Sequence, residues 1–209
     1  GGCTTVSAPP ATGEEQLSLA EALAAAVVDS GASVVTNVPA TGVTEVYDAI
    51  QRRLGQPPVY SYNEEVAYTV AHGAALAGAR SVAVLKSHGF AKAANSVIDS
   101  ITAGTNAGFV ALVFNDRTGR HSDNVFDTVA FVRGTGVIWI QPDPQHAYTE
   151  ILRAFATSEK LRVPVAVMIE SDDLSATVTV RRQAEAPPAI GFKRDIYQHL
   201  LCPLLAPHQ

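Results

Sequence analysis

The stretch that decides the fold is 60–80, with the sequence YSYNEEVAYTVAHGAALAGAR. It predicts a strand end, a turn at Asn63 and a helix that opens with Glu64 and Glu65, because asparagine is a favoured N-cap and carboxylates suit the first turn of a helix. The helix continues on alanine and glycine, and each interior glycine costs about 1 kcal/mol relative to alanine. We therefore expect a carboxylate at the mouth of a sheet, on a helix shaped for close packing against another backbone.

Short apolar segments alternate with helical patterns along the rest of the chain. The predicted strands are 33–38, 59–62, 81–86, 108–115, 137–140 and 163–170. The other predicted helices are 17–30, 43–54, 90–103, 125–133 and 145–159. Strands and helices that alternate at this spacing predict a parallel sheet, and nearly all-apolar strands predict that both of its faces are covered. The fold class is α/β, a three-layer sandwich with a six-stranded, mainly parallel sheet and helices on both faces.

Length and composition indicate one domain with flanking segments. The chain has 209 residues, 47% of them hydrophobic, which is enough for one core. We expect a disordered lead-in at 1–16, the domain at 17–172 and a C-terminal extension at 173–209 that packs on the body or on a partner. The low charged fraction of 17% is consistent with a surface that a partner covers.

Charge and cysteine content exclude several classes of function. The net charge of −5 argues against nucleic-acid and membrane-surface partners. The chain has two cysteines, Cys3 and Cys202, which suit neither a disulfide framework nor a metal site, so we expect no metal ligands here and a reducing cytoplasm. No apolar run approaches the ~18 residues that a spanning helix needs.

Ligands of open parallel sheets gather at the carboxyl ends of the strands. The predicted strands and turns place polar and small residues at that edge: Pro39, Ala40, Asn63, Glu64, Ser87, His88, Gly89, Asp116, Arg117, Arg120 and His121. The chain contains no GxGxxG, no GxxxxGK[ST] and no GxSxG, so a dinucleotide site, a P-loop and a serine-hydrolase elbow are all unsupported.

What the chain does contain is NEEVAYTVAHGAALAGAR, then a strand, then KSHGF. This pattern resembles the pyrimidine-binding (Pyr) domain of thiamine diphosphate enzymes, in which a strand leads into a glutamate followed nine residues later by a glycine. Glu64 and Gly73 keep that spacing. The segment 87–97, with Gly89 and Asn95, resembles the alpha subunit of sulfopyruvate and phosphonopyruvate decarboxylases. The segments EEVAYTVAHGA, LKSHGF and HSDNVFDT resemble the alpha subunit of 2-oxoacid (indolepyruvate) ferredoxin oxidoreductase.

The resemblance implies a role for each residue at the strand ends. Glu64 would share a proton with the ring nitrogen of the cofactor's aminopyrimidine, and burial that raises its pKa would help. His88 and His121 would be catalytic, orienting the substrate or moving protons. The residues that would hold the cofactor with Glu64 are Pro39, Ala40, Ser87, Gly89 and Asn95. The residues that would bind an anionic substrate are Lys86, Arg117 and Arg120. Ordinary helix-terminal, turn and solvated-loop roles are the alternative for all of them.

The resemblance also implies a partner. Enzymes of this class hold the diphosphate and Mg²⁺ on a second domain marked by GDG and a later asparagine, and this chain has no GDG. A separate PP-domain subunit would supply those ligands, with an α2β2 heterotetramer as the simplest closed assembly.

Three functions remain open from the sequence. We place first a thiamine diphosphate-dependent lyase that decarboxylates a small-molecule 2-oxo acid, with or without carboligation. Second is a 2-oxoacid:ferredoxin oxidoreductase, whose iron–sulfur clusters a partner would have to carry, because this chain lacks a cysteine set. Third is a non-catalytic α/β scaffold subunit.

Overall fold

The computed structural model describes residues 13–195 and residue 199. The helices are α1 (Leu19–Asp29), α2 (Val43–Leu54), α3 (Glu64–Leu76), α4 (Ser87–Lys92), α5 (Ala94–Ala103), α6 (Thr128–Thr135) and α7 (Ala147–Leu161). The strands are β1 (Glu14–Ser18), β2 (Val34–Asn37), β3 (Ser81–Lys86), β4 (Phe109–Asn115), β5 (Ile138–Ile140), β6 (Val165–Glu170) and β7 (Thr177–Arg181). Two 3₁₀ turns lie at Pro144–His146 and Ser171–Asp173.

Five of these strands form one parallel sheet in the order β2-β3-β4-β6-β5. Its central strand, β4, is buried along its whole length. Because successive strand residues point to opposite faces, β4 contributes side chains to two apolar cores, one on each face of the sheet. Val110 and Leu112 pack with α1, α2 and α7, and Ala111 and Val113 pack with α3 to α6. The α/β fold with helices on both faces of a parallel sheet is therefore confirmed.

The sheet has five strands rather than the six predicted, because Val59–Tyr62 forms no strand. The hydroxyl of Tyr47 donates to the backbone oxygen of Val59 at 2.7 Å and accepts from its N–H at 2.9 Å. A second tie follows, in which Ser61 N–H donates to the Asn37 carbonyl at 3.0 Å. Two bonds to a side chain and one backbone bond thus hold the segment beside the edge strand β2 in place of a regular ladder, just before the turn at Asn63.

The strands β1 and β7 form a two-stranded antiparallel ribbon that the sequence did not predict. The ribbon begins at Glu14, within the predicted lead-in 1–16, and its second strand lies within the predicted extension 173–209. Val178 and Val180 of β7 are buried in the core formed by α1, α2 and α7. The chain therefore folds back across both predicted boundaries, whereas 1–12, 196–198 and 200–209 lie outside the described residues.

The first part of the C-terminal extension contacts the body. The guanidinium of Arg80, just before β3, donates to the carbonyls of Pro187 and Pro188 at 2.8 Å each and pairs with Glu159. Gly78 follows the end of α3 with φ of +89°, and a Cβ there would lie 2.0 Å from the backbone of Gly191. The close backbone approach expected from the glycines of this stretch is thus present at Gly78, which lies beyond the helix.

Within 13–195, no helix combines the length and the apolar character needed to span a membrane.

Removing the Tyr47 hydroxyl should loosen the segment 57–62 without unfolding the domain. We expect Tyr47→Phe to lower the free energy of unfolding by about 1 kcal/mol, since two hydrogen bonds to a solvent-accessible peptide are lost and water replaces them. Urea unfolding and amide exchange at Val59 measure both effects. Tyr60→Phe, on a half-exposed ring in the same segment, is the control, and equal effects from both variants would contradict this account.

Candidate functional site

Glu64 stands at the first position of α3, at the carboxyl edge of the sheet. The Asn63 side chain caps this helix, because its oxygen accepts the N–H of Val66 at 2.8 Å. The predicted turn and helix start are therefore confirmed. The Glu64 side chain is 22% exposed, and its Oε2 lies 3.1 Å from the ammonium of Lys92 on α4. The cap fixes the backbone that carries Glu64, and the carboxylate remains partly exposed to an incoming group.

Gly89 provides the space that the Glu64 side chain occupies. A Cβ built on Gly89 would lie 2.6 Å from Cγ of Glu64, closer than non-bonded carbons approach. The sequence predicted a loop at 87–89, but α4 begins at Ser87, directly after β3, so Gly89 is a helical residue. Helix α4 can therefore pass under the start of α3 only because position 89 has no side chain.

Glu65 is the neighbouring acid, and it faces another direction. Its side chain accepts a hydrogen bond from Ser96 of α5 at 3.3 Å, and the residue is exposed. The structure thus separates the two acids: Glu64 lies over Gly89 at the strand ends, and Glu65 lies on the outer side of α3.

The other predicted cofactor-binding residues lie in three separate segments of the chain. Ser87 is buried at the start of α4, with Oγ 3.5 Å from Nδ1 of His88. Pro39 and Ala40 lie between β2 and α2, where the Ala40 carbonyl accepts the backbone N–H of Thr44 at 3.1 Å. Asn95 lies on the exposed side of α5, and its amide donates to Asp99 at 3.2 Å. The Asn95 amide is thus bonded within its own helix. Contact between Asn95 and a cofactor stays a prediction.

The segment 116–124, which we call the site loop, carries three of the predicted residues. His121 is exposed, and so are Arg117 and Arg120. Two other predicted residues contact the backbone or side chains of this loop. Lys86 donates to the carbonyl of His121 at 2.7 Å, and Nε2 of His88 bonds to the side-chain oxygen of Asn124 at 2.7 Å.

Asp116 was placed at this edge by the sequence analysis but was given no role. Its side chain is buried, and its Oδ2 accepts from the Ser122 hydroxyl at 2.6 Å and from the His121 N–H at 2.9 Å. The hydrogen bond from Ser122, together with that from His121 and the nearby Lys86 charge, holds the pKa of Asp116 below its usual range. The donors come from Asp116's own loop, and no local sequence pattern identifies them.

The chemistry of the residues at this edge can be compared with the needs of an aminopyrimidine ring. A partly exposed carboxylate, Glu64, is the group that would share a proton with a ring nitrogen, and the bare Gly89 keeps bulk away from beneath it. Within 13–195 and residue 199, no cluster of three or more His, Cys, Asp or Glu side chains is placed to hold a metal ion. The residues present fit the pyrimidine end of thiamine diphosphate.

Comparison with known proteins assigns the family. The thiamine diphosphate-binding family of the pyruvate flavodoxin/ferredoxin oxidoreductases matches residues 27–192. The chain belongs to this family, and the predicted resemblance to a thiamine diphosphate-binding domain is confirmed.

The similar curated proteins are oxidoreductases. The indolepyruvate oxidoreductase subunit IorA of Thermococcus kodakarensis is 32% identical over 145 residues, which are 68% of this chain and 22% of that protein. The same subunit of Methanothermobacter thermautotrophicus is 30% identical over 181 residues, 84% of this chain and 29% of that protein. The chain thus spans less than a third of the length of these relatives.

A solved structure shares the fold. The 2-oxoglutarate:ferredoxin oxidoreductase of Magnetococcus marinus, solved with 2-oxoglutarate, coenzyme A and succinyl-CoA bound, matches 88% of this chain and 34% of its own, with a TM-score of 0.68 and 17% identity. Together these findings support the oxidoreductase interpretation that we placed second. They do not support the lyase class, either as a decarboxylase or as a carboligase.

A side chain at Gly89 should displace Glu64. In Gly89→Ala the new methyl group would require Glu64 to leave its position, so we expect thiamine diphosphate affinity to fall at least about tenfold while the fold persists. Calorimetric titration of the assembled protein measures the affinity, and circular dichroism checks the fold. Gly134→Ala is the matched control, because Gly134 is an exposed residue of α6 and a Cβ there meets nothing within 4 Å in the described structure. An unchanged affinity in Gly89→Ala would contradict the packing argument.

Acid should remove the contribution of Asp116 to stability. Its pKa is lower folded than unfolded, so the folded state favours the carboxylate; the contribution is complete above the unfolded pKa of ~3.9 and is lost as pH falls through the folded pKa. We expect the difference in unfolding free energy between the parent and Asp116→Asn to be constant from about pH 7 to about pH 5 and to shrink below about pH 4. Urea unfolding measures it. If the difference in unfolding free energy between the parent and Asp116→Asn grew on acidification, the pKa of Asp116 would not be lowered by folding, and this account would be refuted.

Proposed function

We propose that this chain is the pyrimidine-binding part of a thiamine diphosphate-dependent 2-oxoacid:ferredoxin oxidoreductase. The observation that carries the proposal is the Glu64 carboxylate, held over Gly89 at the first turn of α3, in a chain of the thiamine diphosphate-binding family. The substrate is a 2-oxo acid, and indolepyruvate is the first candidate because the similar curated proteins are named for it.

Glu64 has one task in this proposal, which is to exchange a proton with the ring nitrogen of the bound aminopyrimidine. When bound, thiamine diphosphate supplies the electron sink that a 2-oxo acid needs to lose its carboxylate. The glutamate must hold its proton at a fixed place. The Asn63 cap fixes the backbone at the start of α3, and the close approach of Gly89 fixes the Glu64 side chain. Lys92, whose ammonium pairs with Glu64, would have to move aside or share the carboxylate when the ring arrives.

The remaining parts of the reaction lie outside the described residues in this proposal. A PP-type domain carrying GDG and a later asparagine, in a partner or elsewhere in a longer chain, holds the diphosphate and Mg²⁺. Cysteine-ligated iron–sulfur clusters take the electrons, because a 2-oxo acid oxidation releases them in a pair and ferredoxin accepts them singly. An α2β2 arrangement remains the simplest closed assembly, and the cytoplasm remains the predicted location.

The outer surface of α3 supports the idea of a partner. Val66 and Val70 are exposed on one side of this helix, and the exposed Gly73 follows one turn later. Gly73 has open space where a Cβ would stand, so nothing in the described chain explains a glycine that costs about 1 kcal/mol in a helix. A backbone from another polypeptide, packed against this side, would explain it.

Replacing Glu64 tests the function directly. In the assembled enzyme, Glu64→Gln removes the exchangeable proton and should lower 2-oxo acid-dependent ferredoxin reduction by about 100-fold or more, the usual contribution of acid–base catalysis. Reduction is followed spectroscopically with indolepyruvate and coenzyme A present. Glu65→Gln, one residue along the same helix, is the matched control and should retain activity.

Each outcome of that experiment has a defined meaning. Full activity in Glu64→Gln would refute the proposed role and favour a scaffold. Release of carbon dioxide in the parent enzyme with no reduction of ferredoxin would refute the oxidoreductase assignment. Equal loss in both variants would show that charge on α3, rather than the Glu64 proton, is required.

A further inference from the structure

We propose that Asp116, Lys86 and His88 are positioning residues that clamp the site loop, 116–124, so that it presents His121, Arg117 and Arg120 to an anionic substrate. The clamp itself follows from contacts in this chain. The substrate part rests on the proposed function. In this proposal Lys86 and His88 differ from their sequence predictions, because their polar atoms are engaged with the loop rather than left for substrate or proton transfer.

Asp116 closes the loop on itself. It follows β4 directly, and its side chain is only 1% exposed. A buried carboxylate must find donors, and Asp116 finds them in the loop that it begins: the backbone N–H of His121 at 2.9 Å and the hydroxyl of Ser122 at 2.6 Å. The Asp116 side chain therefore joins the start of the loop to two residues, His121 and Ser122, which follow it by five and six positions.

Lys86 holds the same peptide from the other side. It ends β3, the strand beside β4, and its side chain is 14% exposed. Its ammonium donates to the carbonyl of His121 at 2.7 Å and lies 3.9 Å from Oδ2 of Asp116. The backbone of His121 is thus bonded through its N–H to Asp116 and through its C=O to Lys86. The imidazole of His121 is exposed and has no hydrogen-bond partner among residues 13–195 and 199.

His88 holds the far end of the loop. Its Nε2 lies 2.7 Å from the side-chain oxygen of Asn124, so this nitrogen carries the proton and donates. Its ring packs edge-on against Phe126, with centroids 5.1 Å apart. The loop is therefore fixed at its start and middle by Asp116 and Lys86 and at its end by His88, from two strand ends and one helix.

The two unpaired guanidinium groups of the site loop are the groups that would bind an anion. Lys86 is balanced by the adjacent Asp116, whereas Arg117 and Arg120 are exposed and form no ion pair within the described residues. Two carboxylates oppose them nearby: Asp123 is exposed on the loop, and Asp172 accepts from Thr118 of the loop at 2.9 Å. Two arginines and an imidazole on a fixed backbone suit a carboxylate, since guanidinium groups bind carboxylates through paired hydrogen bonds.

Hydrogen exchange on the purified full chain tests the clamp without cofactor or substrate. We expect Asp116→Ala and Lys86→Met to speed exchange of amides in the site loop by about threefold to tenfold, the effect of losing one or two hydrogen bonds. Asp116→Asn, which keeps the shape and one acceptor oxygen, should have a smaller effect and covers the case that Asp116→Ala does not fold. Arg120→Gln, on the same loop, is the control and should leave exchange unchanged. Unchanged exchange in Lys86→Met and both Asp116 variants would overturn the clamp.

His88 is tested in the same way with two variants. His88→Phe keeps the ring against Phe126 and loses the bond to Asn124, whereas His88→Gln can still donate to that oxygen. We expect faster exchange near Asn124 in His88→Phe and recovery in His88→Gln. If His88 were instead a proton-transfer group, exchange would be unchanged in both variants and turnover would fall in both.

Kinetics of the assembled enzyme test the presentation of substrate. Arg117→Gln and Arg120→Gln should raise KM for the 2-oxo acid with exchange unchanged, and Lys86→Met should raise both KM and exchange, with Lys86→Arg restoring both. Raised KM in Lys86→Met with unchanged exchange would make Lys86 a direct substrate ligand and overturn its positioning role. Faster exchange with unchanged KM would overturn the presentation of substrate. Absence of any turnover in the parent enzyme would refute the proposed function, and exchange would still decide whether the clamp exists.

Discussion

The close approach of Glu64 and Gly89 is the contact on which the rest of the site depends. The start of α3 and the start of α4 both lie at the carboxyl edge of the sheet, and they can meet because Gly89 has no Cβ. The carboxylate is thereby fixed by packing as well as by the cap from Asn63. A general acid needs that kind of fixation, since catalysis by proton transfer requires the acid within hydrogen-bonding reach of the group it serves.

The sequence predicted the elements whose determinants are local. The Asn63 cap, the acidic first turn of α3 and the apolar strands β3 and β4 all depend on neighbours in the chain, and the structure has them near the predicted bounds. The segment 59–62 was different, because its β-type composition suits a strand, but the phenol of Tyr47, twelve residues away, takes the hydrogen bonds that a ladder would use. The ribbon of β1 and β7 was missed for a related reason, since its partners are distant in sequence.

The candidate site shows the same difference between features set by neighbours in the chain and features set by residues distant in sequence. Glu64 and Gly89 could be proposed from the sequence because their pattern spans a short stretch of chain; the comparisons confirm the family, and the roles of the two residues stay predictions. The role of Asp116 could not be identified, because it depends on how a nine-residue loop folds over the end of β4 and on a lysine from another strand. The findings favour the oxidoreductase interpretation that was placed second. The sequence did not favour it because electron acceptors distinguish oxidation from simple decarboxylation, and the two cysteines of this sequence are not a cluster-ligand set.

The two sides of Glu64 have different characters, and this difference accounts for the division of labour that we propose. On the side of α4 lie the buried Asp116, a site loop held at three points, and two arginines that form no ion pair within the described residues, and we propose that this surface holds a small anion. On the solvent side lies the face of α3 with Val66, Val70 and Gly73, where apolar side chains and a glycine backbone are exposed in the described structure. Glu64 begins the helix that carries this face, and it lies over Gly89, the neighbour of His88, which bonds to the site loop. A cofactor ring that reaches Glu64 is therefore expected to touch the loop on one side and the covering polypeptide on the other, so that binding of the partner and formation of the site are one event.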